Sequence, residues 1–205
     1  MTPTRRLAKR LFDLALAVIL APILLTLMLV VLVTLMFTEG RPYFYAAERM
    51  KSPTKSFRLW KFRTMTVVEG DAGVSGGDKA ARITRIGRIL RKTRGDELPQ
   101  LWNIFKGDLS FVGPRAPLRE YVERFPEVYA EVLQTPPGAT GIASLYYHRH
   151  EEWLLKRCTT PEETDRVYCE TCIPAKARLD LMYRDHASVC FDFVLVCRTI
   201  KRVLS

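Results

Sequence analysis

Leu14 to Phe37 reads L-A-L-A-V-I-L-A-P-I-L-L-T-L-M-L-V-V-L-V-T-L-M-F, 24 residues without a charge. A helix crossing the hydrocarbon of a bilayer needs about 20 apolar residues. Globular cores rarely carry such a run, so the segment is expected to be membrane-embedded. Two features argue against a plain span. Pro22 interrupts the run, and a proline inside a helix removes a backbone donor and clashes with the preceding turn. Both flanks are basic, with Arg5, Arg6, Lys9 and Arg10 before the run and Arg41, Arg49, Lys51, Lys55, Arg58, Lys61 and Arg63 after it. Basic flanks mark the cytoplasmic side, and a straight span would put one of them outside. The expectation is therefore a re-entrant helical hairpin over 1–39, bent near Ala21-Pro22, with residues 40–205 as a small cytosolic domain. The rival is one tilted, kinked span, since proline is tolerated in spanning helices. Asp13 is expected to pair with Lys9 or Arg10 at helical spacing near the headgroups.

The remaining chain is long enough for one domain. Lys and Arg number 32 against 22 Asp and Glu, a net charge of +10. That balance suits nucleic acid, an anionic bilayer face or phosphorylated small molecules. The five cysteines are an odd number, and with no signal-peptide cleavage pattern a reduced, cytosolic setting is the simpler reading. Cys169-x-x-Cys172 invites a metal reading, with Cys158, His148 and His150 upstream, but lacks the paired spacing of a closed zinc site. Buried free thiols are the other reading.

The second informative stretch is Leu90 to Arg115, L-R-K-T-R-G-D-E-L-P-Q-L-W-N-I-F-K-G-D-L-S-F-V-G-P-R. It holds an adjacent acid pair, Asp96-Glu97, behind Arg88, Arg91, Lys92 and Arg94. Adjacent carboxylates repel, so one is often metal-bound, protonated or paired. Mg²⁺ usually takes one or two carboxylates plus substrate phosphate oxygens, so phosphate and a divalent metal are expected to meet here. A solvated helix start, with Asp96 as its N-cap, fits the spacing as well. Upstream, Phe57 to Arg63 alternates apolar and basic, a short strand with Phe57, Leu59, Lys61 and Arg63 on one face. Glu69 to Lys79 is Gly- and Asp-rich and reads as a loop. Ala80 to Thr93 reads as a helix with an arginine stripe.

These residues carry a family resemblance. Lys61-Phe62-Arg63-Thr64-Met65, Thr84-Arg85-Ile86-Gly87, Arg91-Lys92-Thr93 through Asp96-Glu97-Leu98-Pro99-Gln100-Leu101, Lys106-Gly107-Asp108 and Val112-Gly113-Pro114-Arg115 occur in order. Pro137-Gly138-Ala139-Thr140-Gly141 and a closing Tyr183…Ser188…Asp192 pattern follow. Nearly the whole chain resembles the bacterial sugar transferases, the monotopic polyprenyl-phosphate phosphoglycosyl transferases, in their short form. The resemblance implies transfer of sugar-1-phosphate from a nucleoside-diphosphate sugar to a polyprenyl phosphate. It implies Asp96 as covalent nucleophile, Glu97 as its partner and Mg²⁺ as cofactor, held by Asp96 and Glu97. A carboxylate nucleophile splits one hard step into two, and fixed cations neutralise the diphosphate. Arg88, Arg91 and Arg115 are the candidates for that task, with Lys61 and Arg63 next. A helix starting at Leu98-Pro99 would favour an ionised Asp96 through its dipole. The chain departs from the family's usual pattern in three places: Arg94-Gly95 for a polar-apolar pair, Ala116 for a second proline, and Ala46-Ala47 for a Gln-containing run.

In the last third, Leu118 to Val132 reads as an amphipathic helix that Pro126 divides. His148 and His150 read as surface histidines. Asp180 and Asp192 are further site candidates, each with a plain salt bridge as the alternative. Val189 to Val203 is expected to be a terminal helix, on the membrane surface or packed into the core. The fold expected is α/β and mostly helical, with short strands and membrane-surface amphipathic helices. The expected location is the cytoplasmic face of the bacterial inner membrane, with a nucleotide-sugar, a polyprenyl phosphate and the bilayer as partners. A second copy of the chain is a candidate partner. A non-catalytic binder of anionic lipid and a nucleic-acid binder fit the charge equally well. Neither predicts an acid pair inside a basic cluster, and nucleic acid is not expected as a partner.

Overall fold

The computed structural model describes residues 3–67, 74 and 77–204. Most of the loop expected from Glu69 to Lys79 lies outside the described residues. The chain is mostly helical with short strands, as expected. It opens with helix α1, Pro3–Thr38. Its Leu- and Ala-rich sequence favours a helix, and by length and composition it could cross a membrane.

The break expected at Ala21-Pro22 is not there: one helix runs through Pro22. Proline deletes a single backbone bond, and the Thr26 hydroxyl donates to the Pro22 carbonyl at 2.8 Å. Packing holds the helix on both sides of the proline, because Ala17, Ala21 and Leu24 belong to one apolar cluster with Phe57, Leu59 and Leu101. Farther along, Met28, Val31, Leu32 and Leu35 pack with Phe62 and Leu90. With Lys9 and Asp13, these residues recur every three or four positions and form one stripe along the helix. The opposite side carries exposed Val18, Ile19, Ile23, Leu25, Leu29, Val30 and Phe37.

Polar groups fix the start of α1. The Lys9 ammonium donates to Asp192 at 2.6 Å and to the Tyr183 hydroxyl at 3.0 Å. Tyr183 in turn donates to Asp192 at 2.7 Å, and all three are buried. Arg10 donates to the carbonyls of Ile104 and Phe105. Asp13 pairs with neither expected cation; it accepts from the Ser110 hydroxyl at 2.9 Å and the Phe111 N–H at 3.0 Å.

Strands β1 (Phe44–Met50) and β2 (Ser56–Phe62) form an antiparallel hairpin in register Phe44↔Phe62 through Met50↔Ser56. A 3-10 turn over Gly77–Arg82 precedes α2, Arg85–Thr93. Thr84 caps α2 by accepting from the Gly87 N–H at 2.9 Å. A Cβ on Gly87 would sit 2.2 Å from the Thr64 carbonyl oxygen, so only glycine lets α2 approach the end of the hairpin this closely. A second 3-10 turn, Gly95–Glu97, leads to α3, Gln100–Lys106.

Strands β3 (Ser110–Val112) and β4 (Gly138–Thr140) pair in parallel. A Cβ on Gly113 would meet the Pro136 carbonyl oxygen at 2.2 Å. That close approach is why the Gly113-Pro114 and Pro137-Gly138 motifs exist together. Between the strands lie α4 (Arg119–Arg124) and α5 (Pro126–Val132), divided before Pro126 as expected. Then come α6 (Ile142–Tyr146), α7 (His148–Leu155), α8 (Pro161–Val167), a π turn (Tyr168–Cys172), α9 (Ile173–His186) and α10 (Val189–Leu204). Helix α10 packs into the core through Leu195 and Val196, and its Phe193, Val194 and Ile200 are exposed. Cys158, Cys169 and Cys172 are buried free thiols, Cys190 and Cys197 exposed ones.

Candidate active site

The site forms where the hairpin, the turn between α2 and α3, and the loop after β3 converge. Helix α2 ends at Arg94, whose φ of 57° lies in the left-handed region. The reversal brings Asp96 and Glu97 into the 3-10 turn that faces the end of β2. The pleat puts Lys61 on the same face as buried Phe57 and Leu59, so its ammonium points inward. Glu97 Oε1 accepts from Lys61 Nζ at 2.7 Å and from Arg115 Nη2 at 3.3 Å. Its Oε2 accepts from Arg94 Nη1 at 3.1 Å. Asp96 is the more buried of the two and stands apart: its Oδ2 is 4.0 Å from Lys61 Nζ, beyond hydrogen-bond reach.

The two carboxylates titrate in opposite directions. Burial would push Glu97 up, but Lys61, Arg115 and Arg94 outweigh it and hold the group well below its ordinary value. Asp96 is raised, first by burial; Lys61 opposes this, the Glu97 charge adds to it, and Arg91 and Arg115 oppose it. Burial lowers Lys61 despite the Glu97 charge. Arg115 is raised, chiefly by Glu97. Burial, which raises Asp96, is the largest of these influences and runs against the ready ionisation expected from a helix start.

The other expected residues are spread more widely. Arg91 lies beside the pair, its Nε donating to Thr64 Oγ1 at 2.9 Å, and its charge acts on Asp96. Arg88 is exposed on α2. The Arg63 guanidinium donates to the Glu39 and Gly40 carbonyls at 3.0 and 3.1 Å, closing the end of α1. Asp192 is bound to Lys9 and Tyr183, as described. Asp180 is buried on α9, its Oδ1 without a hydrogen-bond partner, and burial raises it to about 7.

Groups that the linear pattern did not place at this site complete the surroundings. Arg49, on β1, has a buried Nε without a partner, and burial and then the nearby Arg115 charge lower its pKa. From the far side, Lys176 donates to Glu151 at 2.8 Å and to the Tyr168 hydroxyl at 3.1 Å. The Glu151 charge reaches Arg115. His148 sits near enough to Arg94 and Arg115 that, after burial, their charges hold it below its ordinary value.

Such a site is built for a multiply charged anion. Cations surround a buried pocket of charge, and one carboxylate is left without a close partner. Mg²⁺ takes one or two carboxylates together with phosphate oxygens and water. Asp96 fits that requirement. Glu97 does not, because both its oxygens already accept from cations. Among the described residues no group of three or more His, Cys, Asp or Glu gathers into a metal cage, so a cation here would depend on substrate oxygens.

The family model described as Bacterial sugar transferase matches residues 4–205. The chain belongs to that family. This sugar transferase is 34% identical over 196 residues to the uncharacterized sugar transferase EpsL of Bacillus subtilis (strain 168), covering 96% of the chain and 87% of that protein. It is 32% identical over 218 residues to the exopolysaccharide production protein ExoY of Sinorhizobium fredii, covering 98% and 87%. It is 29% identical over 210 residues to the UDP-N-acetylgalactosamine-undecaprenyl-phosphate N-acetylgalactosaminephosphotransferase of Aeromonas hydrophila. The match covers all of the sugar transferase but only 45% of the Aeromonas protein.

Proposed function

We propose that this chain transfers sugar-1-phosphate from a UDP-sugar to undecaprenyl phosphate, at the cytoplasmic face of the bacterial inner membrane, as the first membrane step of a surface polysaccharide. The observation that carries the reading is Asp96: a buried carboxylate beyond hydrogen-bond reach of the nearest cation, next to a carboxylate that anchors three cations. The relatives' names support the substrate classes. An Asp96 oxygen attacks the sugar-bearing phosphorus of the donor. The bond from that phosphorus to the bridging oxygen breaks, and UMP leaves with the electron pair. A phosphate oxygen of the acceptor then attacks the same phosphorus, the Asp96 carboxylate departs, and polyprenyl-diphospho-sugar forms. Neither step requires a strong base, because both nucleophiles are already anions.

Glu97 acts as a positioning residue, its Oε1 holding Lys61 and Arg115 where the diphosphate charge arrives. Such fixed charges stabilise a developing anion without reorganisation. When bound, Mg²⁺ would neutralise donor phosphate oxygens beside Asp96. Arg49 and Arg91 add positive potential around the same place.

Helix α1 supports a membrane arrangement in one leaflet. Its start is tied to α10 and α3 and its end to β2, all parts of one body. Its exposed apolar side is free to enter one leaflet, which keeps both basic flanks on the cytoplasmic side without a break in the helix.

Donor alone tests the chemistry. Detergent-solubilised protein given UDP-sugar and Mg²⁺, without acceptor, should release UMP in a burst of about one equivalent, as covalent catalysis requires. Peptide mapping should place the sugar-phosphate on Asp96, and Asp96→Asn should abolish both signals. A full burst in Asp96→Asn would overturn the assignment.

A further inference from the structure

We infer that a small apolar cleft between α1 and α3 holds the first isoprene unit of the acceptor, and that Arg94 receives the acceptor's phosphate. This rests on the transferase reading above. The cleft has a volume of about 160 Å³. Leu24 of α1, Leu98, Leu101 of α3, Phe111 of β3 and Ala139 of β4 line it, together with Arg94 and Glu97. Pockets for drug-sized ligands run from roughly 300 to 1,000 Å³. This one is too small for a nucleotide-sugar, but its mostly apolar lining with Arg94 at the edge suits a short piece of hydrocarbon carrying an anion at one end.

Three observations select that occupant. The first is continuity with the lipid-facing surface: Leu24 lines the cleft, and its neighbours Ile23 and Leu25 are 62% and 55% exposed on α1. On α3, Trp102 is 60% exposed beside the cleft residue Leu101. An isoprenoid can enter from the bilayer without crossing water. The second is charge. A guanidinium carries five N–H donors, and the bond to Glu97 engages only Nη1 of Arg94. The third is backbone. Arg94 occupies the left-handed position that ends α2 although Gly95 is next to it. Glycine is the usual occupant of such a helix terminus. An arginine held there against its own preference directs a cation into the cleft.

The arrangement separates the two substrates. The donor's diphosphate meets Lys61, Arg115 and Asp96. The acceptor's phosphate approaches from the membrane side, past Leu24, and reaches the same phosphorus after UMP has gone.

The test uses the full chain in detergent and two acceptors, undecaprenyl phosphate and a two-isoprene phosphate. Arg94→Gly suits the local backbone and should fold; Ala139→Leu fills the cleft. Each should raise the acceptor KM by about tenfold, the size of effect expected for a lost polar anchor or a blocked methylene-sized space. The donor KM should move much less, and the short acceptor should suffer as much as the long one. An unchanged acceptor KM in both variants would overturn the assignment. So would a loss confined to the long acceptor, which would place the contact farther along the chain. A wild-type protein that gives no donor-only UMP burst would overturn the covalent route through Asp96, and with it the order of substrates on which this assignment rests.

Discussion

Asp96 and Glu97 are neighbours in sequence with opposite electrostatic fates. Glu97 is half-buried with three cations on its two oxygens; Asp96 is buried with Lys61 4.0 Å away and no hydrogen-bonded cation. Because the net effect on Asp96 is upward, donor-dependent turnover should show an acidic limb above the ordinary aspartate value. Lys61 is the strongest influence pulling Asp96 down, so Lys61→Met should move that limb to higher pH and slow turnover by about 10²-fold. Lys61→Arg should move it back. A limb fixed in all three proteins would remove Lys61 from this role. Asp180 gives a second test. Its folded-state value near 7, set by burial, lies above the unfolded value. Its contribution to stability is therefore full below about pH 4 and is lost as pH rises toward 7. Asp180→Asn should flatten that slope, raising stability at pH 8 relative to wild type by up to about 4 kcal/mol, at 1.36 kcal/mol per pH unit. Thermal melts at pH 4 and pH 8 decide it: an equal change at both pH values would refute the titration. The acid pair, Lys61 and Arg115 were legible because ordered motifs name them. Arg49, His148 and Glu151 were not, since each comes from a distant element and in sequence looks like any surface charge. Arg63 was expected beside Lys61, but the strand ends at Phe62 and the helix-terminal carbonyls of α1 attract the next cation.

At the scale of elements, α1 is an integral wall of the fold. Its stripe from Lys9 to Leu35 supplies residues to two apolar clusters, and the Lys9–Asp192–Tyr183 group closes its start against α9 and α10. Breaking a buried ion pair by removing one partner costs roughly 3–5 kcal/mol, because the other charge is stranded. Lys9→Met should therefore lower the melting temperature sharply and cut the yield of folded protein. Replacing both partners, Lys9→Met with Asp192→Leu, should recover much of the loss. If the double variant is as unstable as the sum of the single ones, the two side chains do not act as a pair. The apolar run announced this helix plainly, and the division of α4 from α5 at Pro126 was equally legible. What the run concealed was the continuity through Pro22. A lone proline signals a bend only when nothing restrains the segments beside it, and here Ala17, Ala21 and Leu24 seat both against the same surface.

For the whole molecule, the decisive relation is between α1 and the acid pair. A 36-residue helix is about 54 Å long, well beyond the roughly 30 Å of hydrocarbon in a bilayer. Yet its two ends contact the same body, Lys9 on Asp192 and Leu35 on Phe62. Leu24, between them, lines the cleft that Glu97 also lines. Were α1 to span, the cleft would lie deep in the bilayer, with Glu97 and its three cations desolvated by lipid and the donor unable to reach them. Burial of one side in a leaflet avoids this. A cysteine at the exposed Thr4 position, in a chain with Cys190 and Cys197 replaced by serine, should resist a membrane-impermeant maleimide in intact cells. It should react once the inner membrane is opened. Glu127→Cys, exposed on α5, should behave in the same way. Labelling of Thr4→Cys from outside, with Glu127→Cys still protected, would mean that the helix crosses the membrane. The contacts at its two ends would then have to part.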